Sequence, residues 1–320
     1  MKIRILLVVI PLLALGAAGL WFAGPREPVD PAIRFEASAI GEDPDAYLAR
    51  TEADVPNLRP DAAKEIVWAY PESRARTPLA IVYVHGFGGS KSETRPLADE
   101  VAKAMGANLY YARLTGHGQN RSALAVATVN DWLNDLAEAL AIGHAIGNEV
   151  VVMGHSTGGT LVAYAATRPE LRDRMNAVVL LSPNFGAADS RAWMLDLPWA
   201  RELMPYVENP TVDIDPRGDA DNAVPTAALL PMAALVRAAR GTDYAAATLP
   251  ALVFYAPNDR IVVSAKAREL MTRWAGPHRL IEIADSGDPL QHILAGDARS
   301  PQTTAGIAER IVYWLRSLQL

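Results

Sequence analysis

The run Gly154-His155-Ser156-Thr157-Gly158 concentrates the chemistry of this chain: it follows an apolar stretch at 149–153 and precedes a helical pattern of small residues at 159–167. A strand that turns sharply into a helix holds a serine in strained geometry with its hydroxyl exposed, and the flanking glycines let strand and helix approach. The helix N-terminus behind that hydroxyl favours negative charge developing beside it. A serine hydroxyl is a poor nucleophile alone and needs a base, which in turn needs an orienting acid. Of the six histidines, His292 lies in a loop after the apolar run 280–283 and is the expected general base. His85, His117 and His155 stand beside glycines in tight motifs, where shape dictates the residue; His144 falls on a helical pattern and His278 just ahead of a strand. Asp259, in Pro257-Asn258-Asp259, directly follows the run 251–255 and is the expected acid, lifted off the strand by a turn. Asp285 and Asp288 are the alternatives, but they lie so near His292 that the loop must fold back on itself to use either.

A serine attacking a carbonyl creates an oxyanion, which needs two preorganised amide donors. Thr157, the residue after the nucleophile, supplies one; Phe87, in His85-Gly86-Phe87-Gly88-Gly89 after the run 80–84, is the expected second. The same glycines do not make a phosphate loop, because Ser90-Lys91-Ser92 has no glycine before its lysine and the upstream spacing is wrong. No histidine pair shows metal-ligand spacing, and the chemistry requires neither metal nor organic cofactor.

These groups need a scaffold. Short apolar runs at 66–70, 80–84, 107–111, 149–153, 177–181, 251–255 and 280–283 suit strands buried on both faces, as in a parallel sheet. Helical patterns separate them: Asn130 is placed to cap a helix carrying Trp132, Leu136 and Leu140, and Ile307, Ile311, Leu315 and Leu318 mark another near the end. Alternation of this kind predicts an α/β fold with helices on both faces of a mostly parallel sheet, and ligands at the C-terminal ends of the strands. The alternation breaks at 186–249, which shows no clear strand but crowds Trp193, Met194, Leu197, Trp199, Leu203, Met204 and Tyr206; the segment reads as a helical cap over a pocket. Two helices packed on the core without touching substrate are the plainer alternative.

With 50% hydrophobic and 21% charged residues, the chain has the balance of a folded globular protein. A net charge of −6 argues against nucleic acid as a partner. The absence of cysteine excludes disulfides, thiolate nucleophiles and thiolate zinc sites. Lys2 and Arg4 precede an apolar stretch at 5–23, which as helix spans about 28 Å, close to the hydrocarbon thickness of a bilayer. Residues 1–24 therefore read as an uncleaved membrane anchor, with a cleaved signal ending near Gly16-Ala17-Ala18 as the second reading and a buried core helix as the third. The basic flank holds the N-terminus inside and places the rest outside the cytoplasm, either anchored or, after signal cleavage, secreted. Residues 25–60, rich in proline and charge, read as an extended tether that becomes partly ordered where it meets the core at 61–185 and 250–320.

Taken together, His85-Gly86-Phe87, Gly116-His117-Gly118, Gly154-His155-Ser156-Thr157-Gly158, Asn258-Asp259 and His292 resemble the α/β-hydrolase superfamily, and within it the branch of monoacylglycerol lipases, lysophospholipases and carboxylesterases. The resemblance covers the chain from about residue 66 onwards. It implies an eight-stranded, mostly parallel sheet, a cap between the strands at 177 and 251, and a serine nucleophile at a position where the dehalogenase and epoxide-hydrolase branches use aspartate. The expected function is hydrolysis of small-molecule carboxylic esters, lipid-like in view of the apolar cap and the membrane segment or with short to medium acyl parts, through an acyl-enzyme on Ser156 with His292 and Asp259. Thioesterase, amidase and aminopeptidase action share that machinery. An aminopeptidase would need an anionic cluster near the cap, for which Glu202, Glu208, Asp213 and Asp215 are candidates. A non-catalytic binding protein on the same fold is the remote alternative, and no protein partner is inferable.

Overall fold

The structure, a computed structural model, describes residues 2–207, 211–213 and 223–320, with the side chains of residues 2–10, 205 and 207 outside that description. The strands in chain order are β1 (Glu65–Val67), β2 (Thr77–Val84), β3 (Asn108–Tyr111), β4 (Gly147–His155), β5 (Ala177–Leu181), β6 (Thr211–Asp213), β7 (Ala223–Pro225), β8 (Ala251–Tyr255) and β9 (His278–Glu282). The α-helices are α1 (Lys2–Phe22), α2 (Pro44–Ala53), α3 (Leu97–Met105), α4 (Val129–Ile146), α5 (Thr157–Ala165), α6 (Pro169–Arg172), α7 (Ala200–Val207), α8 (Leu229–Gly241), α9 (Ser264–Met271) and α10 (Pro301–Ser317).

The apolar runs become one sheet of seven strands in the order β1-β3-β2-β4-β5-β8-β9, parallel throughout except where β1 joins β3. Period-two alternation sends opposite sides of each strand to different helical layers. On β2, Ala80, Val82 and Val84 join a core with α4, α5 and α8, while Leu79, Ile81 and Tyr83 join a second core with α3 and α10. The sheet of the described residues has seven strands where the family resemblance implied eight. Its first strand is also shorter than the run 66–70. The Asn108 side chain accepts a 2.8 Å hydrogen bond from the Ala69 amide, so a side-chain contact replaces the ladder beyond Val67.

Three further details depart from the sequence reading. Helix α4 is capped by Thr128, not Asn130: the Thr128 hydroxyl accepts from the Asp131 amide, and the Asp131 carboxylate accepts from the Thr128 amide. Asn130 instead donates to the carbonyls of Asp30 and Ala32, and so fastens the N-terminal segment. That segment is docked along much of its length. Asn134 accepts from the Arg34 and Phe35 amides, and Ile40, Tyr47 and Leu48 are buried in the core, the last two from a helix started by the Asp43 cap and Pro44. The cap segment, expected without strands, holds the antiparallel pair β6–β7, whose three-residue strands are too short for a period-two signal.

Among the described residues no helix is long and apolar enough to cross a membrane, so the expected anchor at 1–24, part of which lies outside the described residues, gains no support from the structure.

Helix α4 also carries a titratable joint. Asp135 accepts from the Thr115 amide at 2.6 Å and from the Thr115 hydroxyl at 3.0 Å. Burial pushes its carboxyl up to about 7, with Glu138 adding to the rise while Lys64 and the Thr115 bonds oppose it. A carboxyl raised in the folded state contributes stability that is complete below the usual carboxylate range and is lost as pH rises through about 7. Melting temperature should therefore fall by a few degrees between pH 5 and 8.5, and Asp135→Asn, which keeps an acceptor for the Thr115 amide, should flatten that slope. Parallel pH–melting curves for both proteins would remove Asp135 from this role.

Candidate active site

The sheet changes winding direction between β3 and β4, on either side of β2, and the C-terminal ends of adjacent strands at such a point open a crevice. Loop 85–89 leaves β2 there, and Ser156 leaves the neighbouring β4. Ser156 has φ 50° and ψ −117°, a left-handed conformation that is costly for a residue with a Cβ and is held by its surroundings. Its amide donates to Leu181 at the end of β5, and its carbonyl accepts from Thr160 and Asn184. The turn closes because its glycines have no side chain: a Cβ at Gly158 would stand 2.4 Å from the carbonyl oxygens of both Val84 and His85, and one at Gly154 would stand 2.8 Å from the Gly158 carbonyl oxygen.

The three residues expected to act together do meet. Nε2 of His292 lies 2.9 Å from Oγ of Ser156, and Nδ1 lies 2.8 Å from Oδ2 of Asp259. Separate strand ends deliver them: Asp259 follows β8, and His292 follows β9. The other carboxylate oxygen, Oδ1, accepts from the amides of Ile261 and Val262 at 2.8 and 2.9 Å, which fixes the acid as the turn fixes the serine. All three side chains are buried, Asp259 to 1% exposure.

Neither alternative acid takes this place. Asp288 is buried, and its Oδ2 accepts from the amides of His292 and Ile293. It shapes the loop that carries the imidazole. Asp285 is exposed and accepts from the Gly287 amide and the Gln291 side chain. Of the other histidines, His85 accepts from the Leu114 amide at 3.1 Å, in the tautomer its contact with the Gly86 carbonyl favours. His117 packs edge-on against Phe87 and tilted against Trp132, and burial, with His85 beside it, pushes it down to about 3, so it stays neutral. His155 does more than fill space, and its partner, Glu93, carried no signal in the sequence.

Phe87 and Thr157 border one crevice of about 240 Å³ with Ser156. Thr157 opens α5, and the first amides of a helix have no intrahelical acceptor. Met194, Leu195, Met204, Val212, Leu229 and Met232, drawn from the segment 186–249, give this crevice apolar walls. A larger chamber of about 840 Å³ shares Asn184, Asp189, Leu195 and Met232 with the lining of this crevice and adds Arg237, Arg240, Lys266 and Arg273 among apolar residues. A second crevice of about 270 Å³ is lined by Ser156 and His292 together with Gly86, Gly88, Gly89, Ser92 and Glu93. Among the described residues no group of three or more His, Asp or Glu is placed to hold a metal ion. Of the four acidic residues near the cap, Glu202 is exposed, Asp213 borders the apolar crevice, and Glu208 and Asp215 lie outside the described residues.

The chain belongs to the alpha/beta hydrolase family, which matches residues 81–301 and so includes both strand ends and both loops of this site. It resembles lipases and esterases of that family. Over 188 residues it is 29% identical to the thermostable monoacylglycerol lipase of Bacillus sp. (strain H-257), covering 58% of this chain and 72% of the relative. A solved structure from the work on LipS and LipT, two metagenome-derived lipolytic enzymes, superposes with a TM-score of 0.64 at 20% identity, covering 81% of this chain and 99% of the other. The monoacylglycerol lipase of Paleococcus ferrophilus does so with a TM-score of 0.55 at 17% identity, covering 79% and 98%. At these identities the structural likenesses bear on the fold alone.

Proposed function

We propose that this chain is a serine hydrolase that cleaves carboxylic esters with a medium-length apolar acyl part. The observation that carries the reading is the unbroken relay from Ser156 Oγ through the His292 imidazole to Asp259, opening onto an apolar crevice. Nδ1–H of His292 donates to Asp259, which leaves Nε2 unprotonated to take the serine proton as Oγ attacks the ester carbonyl. The carbonyl oxygen becomes an oxyanion held by the amides of Phe87 and Thr157. The imidazolium then gives its proton to the departing alkoxide as the C–O bond breaks, and an alcohol and an acyl-serine result. Water, deprotonated by the same Nε2, repeats the cycle and releases the acid.

The Bacillus relative is described as a monoacylglycerol lipase, which supports ester over amide cleavage. Asp189 and Asp213 both border the crevice, but Asp189 is in an ion pair with Arg191, and the ester reading has the relative's activity behind it where the aminopeptidase reading has none. The basic Lys2 and Arg4 ahead of the apolar run 5–23 support a hydrolase tethered outside the cytoplasm.

The crevice sets an expectation for chain length. A water takes about 30 Å³ of liquid, so 240 Å³ matches about eight heavy atoms of an acyl chain. On p-nitrophenyl esters, kcat/KM should peak near octanoate and fall about tenfold or more by palmitate, several of whose methylenes would find no place in this crevice. A maximum at acetate or at palmitate would show that this crevice does not hold the acyl chain. Labelling by a fluorophosphonate, followed by turnover of esters, thioesters and aminoacyl amides on the labelled-competent protein, tests the function itself.

A further inference from the structure

Glu93 ends a short 3-10 turn at Lys91–Glu93, and its side chain is 13% exposed. One of its oxygens, Oε1, accepts three hydrogen bonds: from the Gly86 amide at 2.6 Å, from Nδ1–H of His155 at 2.9 Å and from the Tyr83 hydroxyl at 3.1 Å. Gly86 directly precedes Phe87, and His155 directly precedes Ser156. A Cβ at Gly86 would stand 3.1 Å from both the Ser156 Cβ and the His155 ring, so the two loops already touch where the carboxylate joins them. Gly89 makes the room, because a Cβ there would stand 2.0 Å from Glu93 Oε2.

Charge at this point is deliberate in its consequences. Burying a carboxylate and an imidazolium costs more than packing two apolar side chains in the same space, so cohesion alone does not account for the pair. Burial works against an ionised Glu93, but the charge and hydrogen bond of His155, with His85 and the Gly86 amide, outweigh it and bring the carboxyl down to about 2. Burial likewise works against a charged His155, and Glu93 outweighs it, raising that imidazole above its ordinary value. The His155 ring centroid is 5.1 Å from that of His292. A lone positive charge at this distance would oppose the imidazolium that His292 becomes during acyl transfer; a charge-balanced pair does not.

We infer that Glu93 and His155 are positioning residues for ester cleavage, their ion pair locking the Phe87 amide to the serine turn without itself adding net charge beside His292, in a crevice that Arg121 and Arg299 also line. The inference rests on Ser156 being the nucleophile, as proposed above.

Glu93→Gln tests it, because glutamine keeps an acceptor for the Gly86 amide but cannot hold His155 charged. Wild type is first titrated with a fluorophosphonate and assayed on p-nitrophenyl octanoate; failure of wild type at this step counts against the ester reading itself, before any variant is compared. Per labelled serine, Glu93→Gln should lose ten- to a hundredfold in kcat at pH 8, the scale of a small misplacement of reacting groups, with KM changed less than threefold. Burial then keeps the unpaired His155 neutral, so the loss should be of similar size at pH 6. His155→Gln, which leaves the Glu93 carboxylate without its counter-charge and stands in should Glu93→Gln not fold, should lose a similar factor at pH 8 and several-fold more at pH 6, because an unbalanced negative charge favours the imidazolium form of His292, which cannot act as base. The double variant should be little worse than either single one. A kcat per labelled serine within twofold of wild type at both pH values overturns the inference. So does a His155→Gln loss of equal size at the two pH values, which would mark a role in shape alone.

Discussion

Ser156→Ala is expected to fold normally, to take up no fluorophosphonate label, and to lower kcat on p-nitrophenyl octanoate by about 10³- to 10⁶-fold. The serine Oγ is the atom within 2.9 Å of the His292 Nε2, and alanine leaves that base with nothing to deprotonate but water. The amides of Phe87 and Thr157 would remain, and any residual rate above the uncatalysed reaction should come from them and from binding. Folding should be little affected. Alanine has the same backbone preferences as serine at φ 50°, and the amide and carbonyl of residue 156, bonded to Leu181, Thr160 and Asn184, are untouched by the change. Circular dichroism, melting temperature and the labelling gel together read this outcome. Retention of even a tenth of the wild-type kcat, with no label bound, would place the nucleophile elsewhere.

That prediction could be framed from the sequence because the serine announces itself locally. Gly154 and Gly158 are needed where strand and helix come within van der Waals range, and a need of that kind leaves a spacing behind. Asp259 and His292 were legible for a related reason: each sits in the first loop after an apolar run, and parallel strands bring such loops to one edge of the sheet. The core strands were legible as well, since residues buried on both faces are apolar at consecutive positions, and the runs 177–181 and 251–255 coincide with β5 and β8.

What stayed hidden depends on partners far along the chain. Glu93 lies in the polar run Ser90-Lys91-Ser92-Glu93, which looks like a solvated loop; only its bond to His155, 62 residues away, shows why a carboxylate is buried there. His155 looks in the sequence like a residue chosen for shape, because a histidine next to a nucleophile gives no sign of its charge state. The docking of residues 25–60 was hidden in the same way. Asn130 and Asn134 look like ordinary helix-surface amides, and nothing in their sequence says that they grip residues 30–35 about a hundred positions earlier. The β6–β7 ribbon fails to register because strands of three residues show too little alternation to stand out.

Asp259→Asn should cost nearly as much as loss of the serine, by a different route. The Ile261 and Val262 amides both donate to Oδ1, so an asparagine at this position must turn its carbonyl oxygen towards them and its NH₂ towards His292. Facing a donor, Nδ1 of the imidazole can only accept, and the ring proton moves to Nε2. That nitrogen then presents a hydrogen to Ser156 in place of a lone pair, and the serine has no base. The same tautomer reversal in serine-protease triads lowers kcat about 10⁴-fold with the geometry intact, and a fall of that order is expected here with KM changed less than threefold. Fluorophosphonate labelling should slow in parallel, because it uses the same proton transfer, while melting temperature should stay within a few degrees. The acid is tied to its backbone donors as firmly as to the histidine, so the effect reports the tautomer and not a collapsed loop. Asp288→Asn supplies the contrast: Oδ2 of that acid bonds the His292 and Ile293 amides and not the ring, so a carbonyl oxygen can replace it, and kcat should fall less than tenfold. If Asp288→Asn were the more damaging of the two, the orienting acid would have to be reassigned within the loop that carries His292.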